Sequence, residues 1–191
     1  MKVTISLSPD SVKSAIKQIK TYKRTFEKKV IPEFVLSSLE WIKSKAISYL
    51  KTSAVDPIII GKIEQGFLIQ TNAKNGALVN TEDKAVYIEF GVGIKGKGTH
   101  PEAASAGYEY DVPSDKKTAD GGWTFKRRIS AGIDILPQNR ETRKFVGGTD
   151  AAIIYTHGQG GELFVYNACM DYMNSSTPQI IFNQTFNKYL G

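Results

Sequence analysis

At 191 residues the chain is long enough for one ordinary domain, and 41% hydrophobic with 23% charged residues exclude an intrinsically disordered protein. No stretch reaches the ~20 consecutive apolar residues that cross a bilayer, residues 1–10 lack the basic-then-apolar order of a signal peptide, and the single cysteine, Cys169, excludes an intrachain disulfide, all of which predict folding in a reducing cytoplasm. The net charge of +6 is unevenly spread: residues 1–53 hold 11 of the 25 Lys+Arg but only 4 of the 19 Asp+Glu. A basic N-terminal segment is either a solvated helix face or a surface for nucleic acid or an acidic protein.

Val3-Thr4-Ile5-Ser6-Leu7 alternates apolar and polar residues and predicts a short strand. Ser8-Pro9-Asp10 then supplies a cap, a first-turn proline and an early carboxylate. Val12, Ile16, Ile19, Tyr22 and Phe26 follow at helical spacing, with lysines on the opposite face. Pro32 is expected to kink this helix or start another, and Val35, Leu39, Ile42, Ala46 and Tyr49 continue the stripe, so helix is predicted over 9–52. A helix of this length needs a surface for its apolar face, and a sheet is the expected partner.

Strands are predicted over 66–71, 77–80 and 85–90, with turn formers over 72–76 and a short link over 81–84, an arrangement that favours antiparallel pairing. From 91 to 148 glycine, proline, lysine and aspartate dominate. A long loop or arm is expected there, containing two strand pieces at 107–112 and 123–126. A returning strand over 149–156, a flexible joint over 157–161, and helices over 162–174 and from Pro178 to the C-terminus complete the chain. The predicted fold class is α+β in a single domain, 1–191: N-terminal amphipathic helices packed on a small antiparallel sheet, the 91–148 insertion, then C-terminal helices.

No catalytic constellation emerges. Gly91-Val92-Gly93-Ile94-Lys95-Gly96 matches a dinucleotide-binding pattern after a predicted strand, but no apolar helical stripe follows to present amides to a pyrophosphate. Gly98 stands where a phosphate-binding loop needs Ser or Thr. His100, His157 and Cys169 lack metal-ligand spacing, Cys169 reads as an inert helix thiol, and no carboxylate is paired with Glu89. Neither catalysis, nor a cofactor, nor a metal is therefore expected. Trp123, Phe125, Arg127 and Arg128 interleave aromatic and basic side chains, which suits an inter-subunit hairpin or, less well, single-stranded nucleic acid.

The order of these pieces resembles the phage neck and tail-completion proteins, the "gene ten-like" family also described as putative tail components or minor capsid proteins. Its marks are the basic helical N-terminus, the segment Tyr87-Ile88-Glu89-Phe90-Gly91-Val92-Gly93, the stretches His100-Pro101-Glu102, Gly107-Tyr108-Glu109-Tyr110-Asp111 and Gly122-Trp123-Thr124-Phe125, and Leu163-Phe164-Val165-Tyr166-Asn167-Ala168 opening the C-terminal helix. Val92 departs from the family's Thr, Glu162-Leu163 from its Arg-Pro, and 129–148 has no counterpart.

The resemblance implies a structural subunit of a neck, tail-completion or tail-terminator ring, most readily a hexamer. It implies contacts with tail tube or sheath and head-connector proteins, a passing contact with DNA and none with membrane. Such a subunit assembles in the host cytoplasm into a virion or tail-like particle. It also implies structural roles for Tyr87, Glu89, Phe90, Gly91, Gly93, Phe164 and Tyr166, with Phe90 filling the core between N-terminal helix and sheet and the two glycines turning the chain into the arm. Tyr108, Tyr110, Trp123, Phe125, Arg127 and Arg128 are expected to lie exposed until a neighbouring subunit covers them. The alternative is a basic nucleic-acid-binding protein using helix 9–52 and the 123–128 hairpin.

Overall fold

A computed structural model describes residues 8–110, 119, 123–128, 142–144, 151–156 and 158–191; within 123–128, 142–144 and 151–156 it describes the backbone alone. The strand expected over 3–7 lies outside the described residues. The α+β class holds. The elements, in chain order, are α1 (Pro9–Thr25), a π-helical turn (Phe26–Val30), α2 (Ile31–Thr52), α3 (Pro57–Gly66), β1 (Phe67–Thr71), β2 (Gly76–Asn80), α4 (Asp83–Phe90), β3 (Gly91–Val92), α5 (Gly93–Gly96), β4 (Trp123–Arg128), β5 (Thr142–Lys144), β6 (Ala151–Thr156), β7 (Gln159–Gly160), α6 (Phe164–Asn174) and α7 (Thr177–Leu190). Where one domain with an arm is expected, contacts divide the chain into two compact units. No helix among the described residues is long and apolar enough to cross a membrane.

The first unit comprises Met1–Ala46, Phe67–Val79 and Ala168–Gly191. Ser8 caps α1 as expected, its Oγ accepting the Ser11 N–H at 3.3 Å, with Pro9 in the first turn. Pro32 stands in the first turn of α2, which starts after the π-helical turn, close to where a new helix is expected. It cannot donate to the carbonyl four residues back, and a wide turn just before it, in which the Ile31 N–H reaches Phe26 O, absorbs the mismatch.

Aromatic edges tie these helices to α7: Tyr22 to Phe186 (6.5 Å), and Phe26 and Phe34 to Phe182 (6.4 and 5.8 Å). Ser38 Oγ lies 2.5 Å from Tyr172 Oη, and Trp41 packs on the same tyrosine ring. Lys188 Nζ donates to Glu33 Oε1 at 2.6 Å, a bond that holds the Glu33 carboxyl below its ordinary pKa. The β1–β2 hairpin lies against α2: Gly76 faces Leu39 and Val35, and Lys43 Nζ donates to Phe67 O. This is the expected packing of N-terminal helix on small sheet.

The second unit comprises Ile47–Gly66 and Asn80–Asn167. Residues 57–65, for which no element is predicted, form α3 together with Gly66: Asp56 Oδ1 accepts the Ile58 N–H and Asp56 O accepts those of Ile59 and Ile60, an Asp-Pro helix start. Asn80 joins α3 to α4, its Nδ2 donating to Ile63 O and its Oδ1 accepting the Glu82 N–H.

The strand expected over 85–90 is helix α4 instead. Its buried residues are Ala85, Ile88 and Glu89, a spacing of three and four that belongs to a helix face. Residues 107–110 form no strand either; Tyr108 and Tyr110 serve ring packing described below. The expected joint at 157–161 contributes β7, which pairs antiparallel with β3 (Gly91↔Gly160, Val92↔Gln159). Backbone pairing of β4 and β5 with β6 gives a three-stranded antiparallel sheet, Trp123↔Thr156 through Arg128↔Ala151 on one side and Thr142↔Tyr155 through Lys144↔Ile153 on the other.

Candidate functional site at the Glu-Phe-Gly segment

The last turn of α4 carries Glu89, 7% exposed. A carboxyl group buried that deeply needs donors on both oxygens. The start of α6 provides them: Val165 N–H donates to Oε2 at 2.9 Å and Tyr166 N–H to Oε1 at 2.8 Å. These amides belong to the first turn of α6 and have no acceptor within the helix, so Glu89 caps α6 from another part of the chain and places negative charge at its positive end. The backbone reinforces the joint, with Glu162 N–H on Ile88 O (2.7 Å) and Leu163 N–H on Glu89 O (3.3 Å).

The third donor is His100, 6% exposed, whose Nε2 lies 3.2 Å from Glu89 Oε1. Its Nδ1 accepts the Glu102 N–H at 3.1 Å, so the proton sits on Nε2 and points at Glu89. A Glu–His pair resembles the base-and-orienter half of a nucleophilic site. Here both ring nitrogens and both carboxyl oxygens are occupied by the protein itself, and among the described residues no hydroxyl or thiol bonds to the imidazole.

Rings enclose the pair. Phe90 packs on His100 (centroids 4.2 Å apart) and stacks on Tyr108 (4.7 Å), while Tyr166 meets His100 edge-on and Tyr110 meets Tyr108 edge-on. Tyr108 Oη donates to Gly91 O at 2.6 Å, and burial, with Tyr87 and Tyr110 nearby, pushes its phenol pKa up.

The glycine-rich segment is filled by protein backbone. Gly91 takes φ +83° and lies against Gln159 O and Gly161 N, Gly93 N–H donates to Tyr110 O, and Thr99 Oγ1 accepts the Gly161 N–H. The dinucleotide-like pattern thus serves a close approach of two chain segments, with its Gly91–Val92 part paired to β7.

Glu89, Phe90, Gly91, Gly93, Phe164 and Tyr166 belong to this one unit, in which Glu89 joins α4 to α6 and Phe164 is 1% exposed at the start of α6. Tyr87, 50% exposed, gives its carbonyl to the Gly91 N–H that closes α4. Two expectations are corrected. Phe90 is half-buried between His100 and Tyr108 at a helix end, because the segment is a helix and turns that ring toward the 100–110 loop. Tyr108 and Tyr110 are half-buried within their own chain rather than free on an arm.

For Trp123, Phe125, Arg127 and Arg128 the structure describes only the backbone of β4, and His157 lies outside the described residues. Cys169 sits half-buried on α6, in the other unit. Among the described residues no group of three or more His, Cys, Asp or Glu is arranged to hold a metal. His100 and Thr99 are the contributors that sequence reasoning missed as site residues. Compared with protein-family models, curated proteins and solved structures, the chain matches none.

Phe90→Ala is expected to cost about 2–3 kcal/mol, below the ~3–5 of a fully buried phenylalanine, since the residue is only half-buried. Urea unfolding of the purified variant checks this; a change within about 0.5 kcal/mol would mean that the ring stack carries no load.

Proposed function

We propose that the chain is a non-catalytic structural subunit of a phage or tail-like particle: one copy of a neck, tail-completion or tail-terminator ring that joins or caps the head-proximal end of the tail. One observation carries the reading. The two segments on which the family resemblance rests, 87–93 and 163–168, meet through Glu89 Oε1 and Oε2 on the Val165 and Tyr166 amides. Residues of that resemblance serve as a joint between helices, which is the use a rigid building block makes of them.

The filled glycine segment and the fully committed Glu89–His100 pair agree with a protein that acts by assembling. The partners under this reading are further copies of the chain, most readily in a hexameric ring with heterologous contacts, then tube or sheath and head-connector proteins. DNA passes through, and the ring forms in the host cytoplasm on the way to the virion. The β4 segment, with Trp123, Phe125, Arg127 and Arg128, is the surface assigned to neighbours.

The competing reading is a basic nucleic-acid-binding protein, and it draws on the exposed cations of α1. Size-exclusion chromatography with light scattering, followed by negative-stain microscopy, separates the two. A closed ring of hexamer mass is the expected result. A monomer that stays monomeric with tube protein added, and that binds duplex DNA with steep salt dependence, would transfer the assignment to the competitor.

A further inference from the structure

Helix α1 turns one side toward its own unit: Ala15 is 3% exposed, and Tyr22 and Phe26 meet rings of α7. Beside that face runs a second apolar line that stays open to water. Val12, Ile16 and Ile19 are 41%, 47% and 53% exposed. Their spacing of four and then three is the d-a-d step of a heptad seam. With Ile16 at a, Lys13 and Lys20 fall at e, flanking the ridge. Lys17 and Arg24 lie one row further out, and these four cations with Ile16 and Thr21 line a shallow concavity along the helix.

Each class of occupant makes a different demand. A duplex presents phosphates and no apolar row, which accounts for the cations and leaves the ridge unexplained. A bilayer takes a broad apolar face rich in large side chains; here Ala15, Tyr22 and Phe26 are turned inward, and only a narrow ridge remains. A second copy would need an acidic helix of its own. Yet α6 carries Asp171 as its sole acid, paired with Lys45, and α7 carries none. Glu89 of α4 is already used, Glu64 of α3 is paired with Lys51 and Glu33 of α2 with Lys188, which leaves Glu40 on α2 and Asp83 on α4 as single acids on separate helices rather than an acidic row. A narrow 4-3 seam bordered by lysines at one flank is complementary to a helix of the same seam bordered by acids.

We propose that the Val12–Ile16–Ile19 ridge is the seat for an acidic amphipathic helix of a different protein, with its apolar residues on the ridge and its Asp or Glu facing Lys13 and Lys20. The inference stands on α1 and does not depend on the ring reading.

The test uses the full chain and a fluorescein-labelled three-heptad peptide with Leu at a and d and Glu at e and g. A second peptide differs only by Lys at e and g, and anisotropy at physiological salt reads binding. The Glu peptide is expected to bind about ten-fold or more tighter than the Lys peptide. K13E/K20E is expected to reverse that preference, and Ile16→Ser to weaken the Glu peptide about ten-fold; all three positions are exposed, and circular dichroism confirms folding. Failure of the Glu peptide to bind, equal binding of the two peptides, or an unreversed preference in K13E/K20E overturns the proposal. So does stronger binding of a duplex DNA fragment that Ile16→Ser leaves unchanged, or binding to phosphatidylserine vesicles without peptide preference.

Discussion

Glu89→Ala is expected to lower the stability of the protein by about 3–5 kcal/mol, the usual cost of removing one partner from a buried charged network. The carboxyl group accepts from Val165 N–H, Tyr166 N–H and His100 Nε2. Truncation leaves three donors without an acceptor in a place where water has little access, and strips the first turn of α6 of its cap. Glu89→Gln separates the contributions. The amide keeps one oxygen for one helix amide but aims its own NH2 at another donor, so a loss of about 2–3 kcal/mol is expected. Denaturant unfolding measures both. A loss below about 1 kcal/mol in Glu89→Ala would show that the joint is not needed for the fold, and the structural reading of the Glu-Phe-Gly segment would go with it.

That joint also shows how far sequence alone reaches. The helices over 9–52 were legible because their apolar residues repeat at three and four, and the β1–β2 hairpin because Asn72–Gly76 is dense in turn formers. α4 was not. Val86, Tyr87 and Ile88 are strand formers by propensity, and the apolar run is too continuous to reveal a period. What decides for helix is burial of Ala85, Ile88 and Glu89 on one face, a tertiary fact.

The importance of Glu89 was visible as a motif, but its partners were not. Two of them are backbone amides, which carry no residue signature, in a helix 76 and 77 positions away. The third, His100, looked like an isolated histidine in a glycine-rich loop. The same limit applies to the glycines: a nucleotide-like pattern and a backbone-to-backbone contact demand the same residue for the same reason, closeness of approach. Only the identity of the approaching group, here Gln159–Gly161, tells them apart.

Gly91→Ala tests that closeness directly, and a loss of about 3–5 kcal/mol is expected. Two effects act together. Gly91 closes α4 at φ 83° and ψ 179°, a backbone region that only glycine occupies without strain, which by itself costs about 1–3 kcal/mol. A Cβ there would also lie 2.6 Å from Gly161 N and 2.7 Å from Gln159 O. Both are backbone atoms, one in β7 and one in the residue that follows it, so no side chain can swing aside; the β3–β7 pair must open instead. Opening it draws Gly161 away from Thr99 Oγ1 and loosens the chain just before Glu162 and Leu163, whose amides bond Ile88 O and Glu89 O. The variant should therefore weaken the cap of α6 without touching Glu89. Hydrogen exchange is the discriminating measurement: the amides of Gly161, Glu162, Val165 and Tyr166 are expected to exchange faster, while those of α1 and α2 keep their protection. If Gly91→Ala leaves the unfolding midpoint and these four amides unchanged, the glycine is not there for the contact with β7, and a ligand-binding use of the 91–96 segment regains its standing.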